Sequence, residues 1–426
     1  MSYAGSAIVI RGNASCLPLP DASIDMICTS PPYFALRSYR DGDEHYDGQV
    51  GSEATPQAFL EALWACTAEW WRVLKPTGSL WVNLGDKYAG SGGHNNSGIS
   101  DKSTLRGNGH VGGVGEAGPT KIKSTLRSAP DRYNQESDGI RPKSLMGLPW
   151  RYAIGCIDRG WILRRDLVWS KPNGLPESVT DRCRSSHEYW FHLTKQGRYF
   201  AAMDELREEL APKTLTHRGG GESWGNESNP DNNWGDAKVR TPDARGKLPG
   251  SVWTIPMEPL TISDDVRAHY NLPDHFAAFP QEWPRRLILG WSPSGICVEC
   301  GEGRRPVASK ELVGGSPKGE RDYRRLANGS NGGVERPLPG GSNEVTITGY
   351  ACACPTPDAP SRPAVILDPF GGTGTTAGVA RTLGRIGISV DLSMDYCRLA
   401  KWRIFRSGHF AKTETRTHAD RAQVLF

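Results

Sequence analysis

Val365-Ile366-Leu367-Asp368-Pro369-Phe370-Gly371-Gly372-Thr373-Gly374-Thr375-Thr376 is the stretch on which the fold turns. An apolar run ends in an acid, a glycine-rich turn follows, and a helical pattern is expected over 375–383. Further out, the pattern predicts a strand at 386–390 and a helix at 395–406. Strands alternating with helices indicate an α/β domain with a largely parallel sheet. A turn of this kind binds nucleotide-like ligands at the carboxyl edge of such a sheet. Gly371, Gly372 and Gly374 can take backbone angles closed to other residues and leave room for a ligand. The pattern is not G-x-G-x-x-G, and no lysine follows the last glycine, so a dinucleotide or triphosphate is not the first choice. Asp368, held near the ligand as an anion, suits a cationic or zwitterionic molecule better than a phosphate. Asp391 ends the next strand and is placed to accept hydrogen bonds from both hydroxyls of a ribose. A plain glycine-rich turn is the competing reading, and Asp391 weighs against it.

Near the other end, the apolar run Ile24-Asp25-Met26-Ile27-Cys28 leads into Thr29-Ser30-Pro31-Pro32-Tyr33. Pro31 and Pro32 fix their own backbone angles and donate no N–H, so local carbonyls are left as acceptors. Ser30 Oγ and the Pro31 carbonyl can accept both protons of an aromatic amine, localising its lone pair, while Tyr33 offers a ring for stacking. Attack by that nitrogen on a sulfonium methyl needs no cysteine nucleophile; catalysis is positioning and electrostatics. A base inside a duplex cannot reach such a clamp, so it must be flipped out or single-stranded. A rigid proline turn after a strand is the bland alternative. Together the two motifs suggest methyl transfer from S-adenosylmethionine to a nucleobase. Their order along the chain is no obstacle, because parallel strands can be neighbours whatever their sequence order.

With 426 residues the chain can bury a large core, and 50 glycines and 31 prolines indicate long loops. A net charge of +4 neither proves nor excludes a nucleic-acid partner. There is no apolar run of membrane-spanning length and no signal-peptide pattern, so a cytoplasmic protein with reduced thiols is expected. Thr55 caps an expected helix to Leu74 with Pro56 in first position; strands are expected at 8–10, 24–28, 79–84, 161–169 and 188–193. Further helices are expected at 144–158 and, after Pro284, within 279–289. Polar stretches divide the chain: 1–89 core, 90–140 insertion, 141–213 core, 214–250 insertion, 251–295 core, 296–358 insert, 359–410 cofactor half, 411–426 tail. Residues 301–345 read as a Gly-rich charged loop.

The two motifs, with the proline motif first, resemble the beta group of DNA amino-methyltransferases. Arg72 to Leu80, Arg141-Pro142-Lys143 through Gly160-Trp161, and Asp166 to Asn173 follow that family. So do Pro176-Glu177-Ser178, Asp181-Arg182, Ser186 to Tyr189 and His275 to Pro280. The resemblance implies a doubly wound sheet of the S-adenosylmethionine-dependent methyltransferase fold, S-adenosylmethionine as donor and DNA as acceptor. It also admits a cognate restriction endonuclease as partner. A Ser-Pro-Pro-aromatic clamp is typical of members that methylate cytosine N4, so Ser30 favours cytosine over adenine N6. The cofactor site is expected at Asn13, Asp368, Pro369, Phe370, Gly371, Gly372, Thr373, Gly374, Thr375, Thr376 and Asp391, and catalysis at Ser30, Pro31, Pro32 and Tyr33. Asn13 departs from the family, which more often has Asp there. His187 and Glu188 are expected on a strand near the base with packing or hydrogen-bonding roles.

Cys297-Val298-Glu299-Cys300 and Cys352-Ala353-Cys354 supply four thiols, enough for a structural zinc ion that pins the ends of 301–345. Cys16, Cys28, Cys66, Cys156, Cys183 and Cys397 are expected to pack as small apolar residues. The insertions 90–140 and 214–250, the latter with Trp224 and Trp234, are candidates for reading DNA, or plain surface loops. RNA or a protein amide as acceptor, and a zinc-bearing DNA-binding protein on an inactive scaffold, are the competing functions. The intact Ser30, Tyr33, Gly371 and Asp391 count against the last.

Overall fold

The computed structural model describes residues 5–34, 40–41, 44–45, 49–89, 139–174, 177, 179–208, 246–273, 278–313, 342–356 and 359–410. The candidate recognition stretches 90–138 and 214–245, with Trp224 and Trp234, lie outside them, as do His275 and the tail from 411.

In chain order the strands are β1 (Ser6–Arg11), β2 (Ile24–Thr29), β3 (Arg40–Asp41), β4 (Glu44–His45), β5 (Leu74–Leu84), β6 (Ile162–Ser170) and β7 (His187–Thr194). They continue with β8 (Val252–Thr254), β9 (Ile296–Cys297), β10 (Arg305–Val313), β11 (Ser342–Ala351), β12 (Ser361–Arg362), β13 (Val365–Asp368) and β14 (Ile386–Asp391). The helices are α1 (Pro56–Val73), α2 (Leu148–Asp158), α3 (Asp264–Tyr270), α4 (Glu282–Trp291), α5 (Thr375–Thr382) and α6 (Met394–Phe405).

An eight-stranded sheet has the order β1-β14-β13-β2-β5-β7-β6-β8. From β1 to β5 all pairings are parallel; β7 runs antiparallel to both β5 and β6, and β8 is parallel to β6. The fold is therefore doubly wound and mostly parallel, as expected. The two distant motifs meet because β13 pairs with β2, Ile366 opposite Met26 and Leu367 opposite Ile27.

Alternation along the strands sends side chains to two faces. Ile27, Leu80, Val82 and Leu367 join α1 and α2 in one core; Met26, Cys28, Trp81 and Ile366 join α4, α5 and α6 in the other. A stack of indoles thickens the second core, with Trp283 lying 5.1 Å from both Trp190 and Trp253. Both ends of the described path come to α5. A Cβ on Gly5 would meet the Arg381 carbonyl, and one on Gly378 would meet the Phe410 ring.

Several boundaries differ from expectation. Helix α1 starts as read, with Thr55 Oγ1 accepting from Ala58 N at 3.1 Å and Pro56 in the first turn. Helix α2 starts at Leu148 rather than 144, because Gly147 at φ +69° and Pro149 set its first turn. Its first N–H groups are capped from another element: Asp86 accepts from Gly147 N at 3.0 Å and Leu148 N at 3.1 Å. Helix α4 includes Pro284 in its first turn, where no N–H is needed. The stretch 301–345 is not simply a loop. Residues 305–313 pair antiparallel with 342–351, from Arg305 opposite Ala351 to Val313 opposite Ser342. Cys16 and Cys183 are exposed, against the expectation that they pack inside; Cys28, Cys66, Cys156 and Cys397 are buried.

Candidate active site

From β13 the chain crosses through α5 to β14 on one side, and from β2 it crosses through α1 to β5 on the other. The direction of winding reverses between these neighbours, and a crevice opens there outside the carboxyl ends of the strands. The cleft holds about 970 Å³, open mouth included. Ser30 and Pro32 line it from the proline motif; Pro369 to Thr373 and Thr375 line it from the glycine-rich turn. Asn13 and Asp391 complete the expected wall, Phe279 joins it from the family-like segment His275 to Pro280, and Gln49, Val50 and Tyr396 add to it unanticipated.

The turn is held for close approach. A Cβ on Gly371 would fall 1.9 Å from Ser389 Oγ, and Gly374 sits at φ +74° against Ile404 and Ala400. Asp391 Oδ2 accepts from Gly372 N at 2.8 Å and Oδ1 from Ser393 N at 2.9 Å. Asn13 Oδ1 accepts from both the N–H and the hydroxyl of Ser15 at 2.9 Å, shaping the turn at the cleft wall. No lysine or arginine is among the described lining residues, so the cleft favours a ligand without phosphates.

Asp368 sits elsewhere than expected. It lies beneath the cleft, 1% exposed, and not on its wall. Oδ1 accepts from Thr29 Oγ1 at 2.7 Å and Phe370 N at 3.2 Å; Oδ2 accepts from Thr376 Oγ1 at 3.0 Å. It thus fastens one motif to the other. Burial pushes its pKa up to about 6. Gly374 and Thr376 likewise serve the turn from behind, and Pro31 is buried. Burial, aided by Asp368, raises the Cys28 thiol well above its ordinary range, so the cysteine nearest the clamp is no nucleophile.

Behind the clamp lies a network in which Glu188 was expected, on a strand near the base, but whose centre, Asn83, sequence reasoning missed. Ser30 Oγ donates to Asn83 Oδ1 at 3.2 Å, and Tyr33 Oη donates to the same oxygen at 2.8 Å. Asn83 Nδ2 donates to the Tyr189 carbonyl at 3.0 Å, which fixes the amide orientation. Tyr33 Oη also lies 2.8 Å from Glu188 Oε2, and Glu188 Oε1 is paired with Lys171 Nζ. Lys171 in turn stands 4.2 Å from the centre of the Trp169 ring. A polar residue inside Leu80-Trp81-Val82-Asn83-Leu84 was the available signal. Arg403 was missed too. It is buried on α6 and donates to Thr373 Oγ1 at 2.8 Å and Thr375 Oγ1 at 2.6 Å, bracing the turn; burial lowers its pKa to about 10. His192 is buried against Trp81, and burial lowers its pKa to about 3, so it is a neutral core residue.

The sequence profile of the DNA methylase family matches residues 24–298 and 361–402, which takes in the clamp, the turn and Asp391. The chain belongs to the DNA methylase family. Among relatives of this chain, the Type II methyltransferase M.SmaI of Serratia marcescens is 28% identical over 382 residues, covering 90% of this chain and 84% of that one. M.Cfr9I of Citrobacter freundii, also a Type II methyltransferase, is 39% identical over 191 residues, or 45% of this chain. This chain spans a little over half of M.Cfr9I, 54% of its length. The solved PvuII DNA methyltransferase (cytosine-N4-specific) is a remote likeness: 13% identity, TM-score 0.49, covering 97% of this chain and 91% of that one.

The four cysteines read as metal ligands also come together in this chain. The sulfur atoms of Cys297, Cys300, Cys352 and Cys354 all lie within 4.8 Å of one another. No described helix is long and apolar enough to cross a membrane.

Proposed function

We propose that this chain transfers a methyl group from S-adenosylmethionine to the exocyclic N4 of a cytosine flipped out of a specific DNA site. The observation that carries the reading is the shared cleft, in which Ser30 and Pro32 face the glycine-rich turn and Asp391 across neighbouring strands. Three features suit the cofactor: Gly371 packs tightly on Ser389 and puts bare backbone on the cleft wall, Asp391 stands on the same wall where a ribose would lie, and no described lining residue is a cation that would oppose a sulfonium. When bound, the cofactor supplies an electrophilic methyl group.

The residues of the chain supply orientation. Ser30 spends its hydroxyl proton on Asn83, so its remaining lone pairs accept from the cytosine amine. The Pro31 carbonyl accepts the second amine proton. With both protons held, the nitrogen lone pair turns toward the cofactor, a gain of positioning rather than of acid–base chemistry. Tyr33, fastened through its hydroxyl to Asn83 and Glu188, offers its ring to the base. Relatives named as Type II methyltransferases support DNA as the acceptor and a cognate restriction endonuclease as the partner.

The test is to expose DNA to the protein with S-adenosylmethionine, sequence it with modified-base detection, and digest a sample to nucleosides. N4-methylcytosine at a fixed site is expected. N6-methyladenine alone would overturn the choice of base, and no methylated nucleoside at all would favour an inactive DNA-binding scaffold.

A further inference from the structure

We propose that Cys297, Cys300, Cys352 and Cys354 hold one structural zinc ion at the amino edge of the sheet, where it locks the β10–β11 ribbon onto the body of the enzyme, away from the methyl-transfer cleft. The four thiols come from two sequence pairs flanking the ribbon. Cys297 and Cys300 precede β10, and Cys352 and Cys354 follow β11. Their sulfur atoms converge to within 4.8 Å of one another. A tetrahedron with Zn–S of about 2.3 Å has S···S edges of about 3.8 Å, so a small inward movement closes the site. Four soft thiolates with no open position suit a structural zinc and leave no place for a substrate.

Backbone contacts preshape the first pair. Cys297 N donates to Glu302 O and Gly301 N donates to Cys297 O, both at 3.0 Å. Strand β9, which contains Cys297, pairs with β12, Cys297 opposite Ser361. β12 lies just before the amino end of β13, whereas the cleft lies beyond the carboxyl end of β13. The full length of that strand therefore separates the sulfur cluster from the methyl-transfer site.

The ribbon then docks on the same edge. Arg305 Nη1 donates to the Ala201 carbonyl at 2.9 Å, and Tyr350 Oη donates to Glu205 Oε1 at 2.5 Å. Glu205 is buried and Ala201 follows β7, whose antiparallel course brings its end to the amino edge. The ion would thus fix both feet of the ribbon at the point where Tyr350 covers Glu205.

The test uses the full-length protein purified without chelator. Elemental analysis should find about one zinc per chain. Cys300→Ser and Cys354→Ser should each lose it, while Cys183→Ser, exposed and outside the cluster, should keep it. Chelation should speed amide exchange in 305–313 and 342–351, leave 24–29 and 365–368 protected, and leave S-adenosylmethionine affinity unchanged. Should the serine variants fail to fold, cobalt loaded into the wild-type protein should give the absorption of a tetrahedral tetrathiolate. The proposal is overturned by iron in place of zinc, by no uptake of zinc or cobalt, or by zinc retained in both variants. Unchanged ribbon exchange after chelation, or a loss of cofactor affinity, overturns the assigned role.

Discussion

Asn83 is 1% exposed, and its single acceptor oxygen serves two hydroxyls of the clamp. Asn83→Ala should remove the acceptor of Ser30 and leave Tyr33 without one of its two oxygen partners, Glu188 remaining, while the cofactor wall stands. Methyl transfer in a single turnover should fall by roughly 10–100-fold, as expected for losing one or two oriented hydrogen bonds, with S-adenosylmethionine affinity by calorimetry little changed. Asp368 makes a pH prediction. Its folded pKa of about 6 lies above the ordinary 3.8, so its contribution to stability is fully present below about 3.8 and is lost as pH rises through 6. Asp368→Asn keeps an acceptor for Thr29 and removes that titration. Relative to wild type, the variant should gain stability between pH 4 and 6, by at most about 3 kcal/mol, in melts taken across that range. A variant that tracks wild type at every pH would show that Asp368 is not held protonated-prone by burial. At this scale the sequence announced Ser30 and Asp391 through their motifs. It concealed Asn83 and Arg403, because a buried polar residue declares its importance only through partners that lie 53 and 30 residues away.

Helix starts repeat that lesson. The Thr55-Pro56 start of α1 is written locally and was legible. The start of α2 depends on Asp86, a residue 62 positions before Leu148, so the local pattern placed it too early. Asp86→Ala removes two N–H partners at a helix start and should cost about 1–2 kcal/mol of unfolding free energy in denaturant titration. On the opposite face, α6 braces the glycine-rich turn through Arg403. Arg403→Met, similar in length but without donors, should weaken S-adenosylmethionine binding by roughly 10-fold through lost hydrogen bonds, read by calorimetry, and should spare the proline clamp. The ribbon of β10 and β11 went unread although Val345-Thr346-Ile347-Thr348 alternates with a period of two, because Gly-rich, charged stretches surround its strands. Nothing in a period-two pattern marks a strand that packs on the rim rather than in the core.

At the scale of the molecule, the alternation of strands and helices was sufficient for an α/β sheet. It could not reveal that β7 returns antiparallel between β5 and β6, because pairing direction leaves no trace in hydrophobic periodicity. What brings the clamp and the turn together is the β13–β2 pairing and the Thr29–Asp368 hydrogen bond, neither of which depends on sequence order. A variant with residue 410 joined to residue 5 by a short flexible linker, and new termini opened within 314–341, should fold and retain methyl transfer, as judged by circular dichroism and single-turnover assay. Loss of the fold would show that the natural order of segments matters. Gly5 and Phe410 both reach α5, beside Arg381 and Gly378. Gly5 and Phe410, the first and last described residues, therefore stand on the same helix, and the point at which a chain joined there is opened is a genetic variable decoupled from its chemistry. A gene can be reshuffled around that loop while every neighbour in the sheet stays in place.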